Sequence, residues 1–146
     1  MISKFHFTFA FFLIMFCYAC PSSSNTITKM NSLIGTWELV SIQDQGRTEK
    51  NPYDNRSVVL SFDDDESIGK ISGKDICGNT VFGDYTLSSE NAIKIDRFGG
   101  TKRGCDGWAS NFWGLIRAAT TYEADDRQLK IYFNKKSSVL IFDKTS

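Results

Sequence analysis

The chain has 146 residues, with 17 basic and 17 acidic side chains and a single histidine, His6. A balanced charge with no basic run gives nucleic acid no electrostatic footprint, so it is not an expected partner. His6 falls in a segment expected to be removed, and a chain without histidine has no Ser–His or Cys–His pair and no His-containing zinc site.

Met1 to Phe5 carries one cation, Lys4, and is followed by the apolar run Phe7 to Tyr18 (FTFAFFLIMFCY). A run of this length suits the h-region of a secretory signal and is short for a membrane span. It ends in Ala19-Cys20-Pro21, which resembles the lipobox of bacterial lipoproteins, although Cys17 and Tyr18 depart from the usual small and aliphatic choices there. The resemblance implies cleavage before Cys20 and lipidation of that cysteine, with palmitate among the acyl chains. An uncleaved anchor and an ordinary signal peptide are the alternatives. Each buried methylene would contribute about 0.8 kcal/mol to membrane attachment. Pro21 to Lys29 (PSSSNTITK) reads as a polar tether. The expected organisation is a signal peptide over 1–19, a lipidated N-terminus and tether over 20–31, and one domain over 32–146. Lys4 would leave with the signal, making the remainder one positive charge short of its 17 acidic residues.

Leu33 to Ile42 (LIGTWELVSI) has the β-branched and aromatic content of a strand, with Trp37 and Leu39 on one face. Gln43 to Arg56 is polar, contains Gly46 and Pro52, and reads as a long surface loop. Val58, Leu60 and Phe62 share one face of a second strand. Asp63 to Ser67 reads as a solvated hairpin tip, without the spaced ligands and central glycine of an EF-hand loop. Gly69 to Gly73 and Ile76 to Leu87 continue as strands in which Gly73, Gly78 and Gly83 mark bulges or close backbone approach. Ile93 and Ile95 make a short strand that Phe98-Gly99-Gly100 is expected to break.

The period then changes. Trp108, Phe112, Leu115, Ile116 and Ala119 fall at helical spacing, predicting a helix over about 106–120 with Asp106 as N-cap. Trp113 lies off that stripe and would either cover a sheet edge or stay exposed. Leu129, Ile131 and Phe133, then Leu140 and Phe142, complete two closing strands. The predicted fold is α+β: a curved antiparallel, partly barrel-like sheet with one packed helix.

Two cysteines, Cys77 and Cys105, bracket the glycine-rich strand and the approach to the helix. In an exported chain they suit a disulfide, and closing a loop of this length would contribute roughly 3–4 kcal/mol. Free buried thiols and a redox or metal pair are the alternatives, but the spacing is not C-x-x-C and no histidine accompanies them. Asp75, Asp84, Asp96 and Asp106 are the carboxylates near this region, and nothing in their spacing selects an acid–base pair. Trp37, Tyr85 and Trp113 would either fill the core or line a lipocalin-like cavity for a small apolar ligand.

LIGTWELVSI, ISGKDICGNTVFGDYTL, TKRGC and the closing QLKIYF and SVLIFD together resemble the META domain, the HslJ-like family of bacterial envelope proteins, over about residues 33–143. Asn79, Gly83 and Tyr85 fall on the family pattern G-C-N-x-x-x-G-x-Y, and Thr101 and Cys105 on T-x-x-x-C. Two departures stand out: Gly78 occupies the place of the first cysteine, with Cys77 one residue earlier, and Ala109 replaces a frequent glutamate. A one-residue shift in a strand turns a side chain to the other face unless a bulge intervenes, which Gly78 would supply. The resemblance implies an envelope location; the lipobox-like Cys20 adds a lipid anchor, and Pro21 rather than Asp after it resembles an outer-membrane sorting signal, with the domain facing the periplasm. The family resemblance also implies a part in stress response or antibiotic tolerance. It implies no catalytic residues and no cofactor. The expected role is therefore a non-enzymatic one, through an envelope protein partner.

Overall fold

The structure, a computed structural model, describes residues 33–63, 68–88, 91–101, 103–104 and 107–145. The signal segment, Cys20, the tether, Cys105, Asp106 and most of the acidic 63–67 tip lie outside the described residues.

The elements run β1 (Gly35–Asp44), β2 (Arg47–Lys50), β3 (Val59–Asp63), β4 (Gly69–Lys74), β5 (Thr80–Leu87), β6 (Ile93–Gly100), α1 (Trp108–Arg117), β7 (Thr121–Ala124), β8 (Gln128–Phe133) and β9 (Ser138–Lys144). The strands form one antiparallel sheet in the order β6-β5-β4-β3-β1-β9-β8-β7, with β2 paired to the second half of β1. Its two outer strands meet at an isolated bridge, Ala92 with Thr121, where Ile93 N donates to Thr120 O at 3.0 Å. The sheet thus curls nearly onto itself, as an α+β fold with a barrel-like sheet requires.

Alternation places Trp37, Leu60, Phe62, Leu129, Ile131 and Phe142 inside, all fully buried. Two bulges keep that alternation inward around the bend. One lies between Leu39 and Ser41, so that Leu39 and Ile42 both face the core, and the other sets Ile95 and Phe98 inward on β6. From the helical stripe, Phe112 and Ile116 have no exposed surface, and the Phe112 ring meets Phe98 edge-on at 6.0 Å. Burying a side chain of this size stabilises by about 1.5–3 kcal/mol. Arg117, at the last turn, donates from Nε and Nη2 to the Phe98 carbonyl of edge strand β6 at 3.2 and 3.1 Å.

Several sequence expectations change here. The polar stretch 43–56 is not one long loop: β1 continues to Asp44 and turns into β2 through Gln45-Gly46, with φ of 47° and 81°. Two positive φ values make this the tight hairpin turn whose twist matches its strands. All four β2 residues are exposed, so no apolar alternation announces the strand. Nor does Phe98-Gly99-Gly100 break β6, which runs through to Gly100. A Cβ at Gly100 would overlap the Thr80 carbonyl and meet the Trp113 ring at 2.9 Å, so glycine there admits a neighbour instead of ending a strand. The helix begins later than expected, at Trp108. Its cap position falls on Gly107, without a side-chain cap hydrogen bond, and the expected cap, Asp106, lies outside the described residues.

Candidate functional site

Two of the family-motif residues, Asn79 and Thr101, meet where two loops come together, the turn Asp75–Asn79 between β4 and β5 and the segment after β6 that holds Thr101 and Arg103. Asp75 opens the turn and is 2% exposed. Its Oδ1 accepts from Cys77 N at 2.9 Å and Asn79 N at 2.8 Å, and its backbone carbonyl accepts from Gly78 N at 2.9 Å. Aspartate favours such turns because its side chain replaces the missing backbone acceptor. The other oxygen, Oδ2, accepts from Asn79 Nδ2 at 2.8 Å and Trp113 Nε1 at 3.2 Å. Four neutral donors therefore surround a carboxylate with about four lone-pair positions, the condition under which a polar group of this kind is buried.

Asn79, also 2% exposed, carries the linkage onward. Its Oδ1 accepts from Arg103 N at 2.7 Å and Thr101 Oγ1 at 3.4 Å, while Nδ2 donates to Arg103 O at 3.3 Å. Thr101 Oγ1 in turn accepts from Thr80 N at 3.0 Å, and Thr101 N donates to Thr80 O at 3.0 Å. Asp75, Asn79, Thr101 and Trp113 form one buried clamp joining two loops and a helix.

The remaining motif residues serve packing. Gly83 in β5 lies where a Cβ would overlap the Arg97 carbonyl across the strand pair. Tyr85 is 3% exposed, its ring edge-on to Phe62 at 5.6 Å and its hydroxyl donating to Asp63 O at 3.0 Å. Trp37 has no exposed surface, and its Nε1 donates to Leu33 O at 2.8 Å. Trp37 and Tyr85 thus fill the core and do not present a face to a ligand. Trp113 covers the sheet: it bonds Asp75, meets Phe98 edge-on at 5.2 Å and carries the Arg117 guanidinium 5.8 Å above its ring.

The expected strand shift at Cys77 has a different resolution. Residues 75–79 are a turn, and Gly78 adopts φ 75°, so Cys77 and Asn79 escape strand alternation altogether. Cys77 is half-buried against the core. Its expected partner, Cys105, lies outside the described residues, but the Asn79–Arg103 hydrogen bonds tie the chain together two residues from each cysteine.

The other carboxylates are engaged elsewhere. Asp84, on the outer face, takes Lys70 Nζ at 3.2 Å and the Arg97 guanidinium. The Lys70 hydrogen bond, then those and the charges of Arg97 and Lys70, hold its carboxyl below the ordinary value against an opposing desolvation. Asp96 pairs with Lys94. Among the described residues no group of three His, Cys, Asp or Glu side chains is placed to hold a metal ion. Of these residues, Asp75 is the one whose importance the sequence obscured. The signal was local: an aspartate four residues before an asparagine, with glycine between them.

A curled antiparallel sheet with one packed helix, clamped at its loops by a buried Asp–Asn pair, defines an α+β domain built around its own motif. The family model described as META domain matches residues 31–146, and the chain belongs to that family. None of the curated proteins matches it. Solved structures that share the fold include the following two. A protein from Burkholderia xenovorans, determined by NMR, is 16% identical with a TM-score of 0.62, covering 82% of this chain and 86% of its own. A duf4847 family protein from Bacteroides vulgatus is 17% identical with a TM-score of 0.56, covering 77% of this chain and 94% of its own.

Proposed function

We propose that the protein is a membrane-tethered envelope lipoprotein whose META domain acts without catalysis, by binding a protein partner in envelope stress or antibiotic tolerance. The observation that carries this reading is the clamp. Its carboxylate and amide are 2% exposed and spend their hydrogen bonds on one another, on the backbone of both loops and on the Trp113 and Thr101 side chains. Groups committed in this way build a rigid scaffold and are poorly placed to move protons for a substrate. The apolar Phe7–Tyr18 run followed by Cys20 supports the membrane address, with the domain held beyond a short polar tether on the outer membrane. A Cys77–Cys105 bridge would staple the two loops that Asn79 already joins.

The test is chemical cross-linking in intact envelopes, followed by fractionation and capture of the chain. The expected result is a reproducible envelope protein cross-linked to the native chain, with Cys20→Ala released from the membrane fraction. Recovery of the uncross-linked chain alone, or retention of Cys20→Ala in membranes, contradicts the reading.

A further inference from the structure

We infer that the cleft between the β1–β2 hairpin and α1 binds a small organic cation, one bearing a primary ammonium group beside an apolar flank. This goes beyond the interaction role and depends on neither the lipid nor the bridge.

The cleft has a volume of about 510 Å³, within the range of small-molecule sites. Its hairpin wall follows from register: Ile42 pairs with Glu49 and Asp44 with Arg47, so these four side chains share one face. Its helix wall is Asn111 and Leu115, one turn apart. Leu115, half-buried, supplies the apolar surface over the nearly buried Ile42 at the cleft floor, and polar groups surround them.

Those polar groups contrast with the clamp. Among the described residues, Arg47, Glu49 and Asn111 make no side-chain hydrogen bond or ion pair, and Asp44 is engaged only by the hydroxyl of Ser138. Ser138 is itself 1% exposed, which fixes Asp44 at the mouth of the curled sheet. Two carboxylates against one guanidinium make the wall complementary to a cation. Charge-assisted N–H···O bonds to Asp44 and Glu49 would anchor the ammonium, with the Asn111 amide oxygen as a further acceptor. The apolar flank of the ligand would then lie against Leu115. The ligand this wall fits is polar at one end, unlike the apolar guest expected of a lipocalin-like interior.

The experiment titrates the full chain, in mild detergent, with cyclohexylmethylamine, cyclohexylmethanol and cyclohexanecarboxylate, following backbone amide resonances. The amine is expected to shift signals of residues 42–49 and 111–115 saturably, with the alcohol weaker by about 10-fold or more. Glu49→Gln, at an exposed position, is expected to weaken the amine by about 10-fold without changing the melting temperature. Asn111→Lys is expected to abolish binding. Equal affinity for amine and alcohol, preference for the carboxylate, unchanged binding in Glu49→Gln, or no saturable shift would each overturn the assignment.

Discussion

Asn79 grips the Arg103 peptide with both ends of its amide, accepting from Arg103 N at 2.7 Å and donating to Arg103 O at 3.3 Å. A side chain thereby stands in for a strand partner and gives an irregular segment the backbone hydrogen bonds it would otherwise lack. Asp75 holds Asn79 in position for this, through Asn79 N and Nδ2.

Removing the hub should therefore cost more than removing one spoke. Asp75→Ala leaves two buried and two part-buried donors without this acceptor and is expected to destabilise by about 2–4 kcal/mol. Trp113→Phe removes one of those bonds and much less surface, with an expected loss of about 1–2 kcal/mol. Urea unfolding of both variants checks the order; equal losses would remove Asp75 from the centre of the cluster.

Gly83→Ala places a methyl group against the Arg97 carbonyl in the middle of the β5–β6 ladder. Overpacking against backbone is expected to cost about 1–3 kcal/mol. Gly104→Ala, whose Cβ would meet nothing, serves as the comparison. Thermal melting should fall for the first and change little for the second.

The Asp84 pairs set an acid limb. A carboxyl held below its ordinary value of 3.8 contributes stability that is present above that value and fades as pH falls through its lower folded-state value. Wild type should lose stability on acidification below about pH 4, and Asp84→Asn should show a shallower loss over the same range. Parallel acid limbs in melting temperature against pH would contradict the assignment. Lys70 and Arg97 are largely solvent-facing, so the difference should shrink in high salt.

The proposed Cys77–Cys105 bridge makes a separate prediction. The denatured intact mass should be two hydrogens below the reduced value, and reduction should lower stability by roughly 3–4 kcal/mol. Alkylation of both thiols in the native, unreduced protein would contradict it.

Much of the sheet was legible because burial has a short period. Val58, Leu60 and Phe62 alternate in sequence and are all fully buried in the fold, as are Leu129, Ile131 and Phe133. The helical stripe was legible for the same reason at a longer period. What was hidden lacks such a period. β2 is polar on both faces, so its only trace is the Gln45-Gly46 turn. The clamp depends on contacts across 24 residues from Asn79 to Arg103 and 38 from Asp75 to Trp113, which no local window contains. The family motif marked Asn79 and Thr101 without showing that Asp75 and Trp113 complete the set.

The most direct measurement is hydrogen exchange at the Arg103 amide, whose acceptor is Asn79 Oδ1. If the motif builds the domain, this amide is protected like the neighbouring strand amides, and Asn79→Ala abolishes that protection while destabilising by about 2 kcal/mol. An Arg103 amide that exchanges freely in the native chain, or an Asn79→Ala variant with unchanged stability, would contradict it and leave the asparagine available for a ligand.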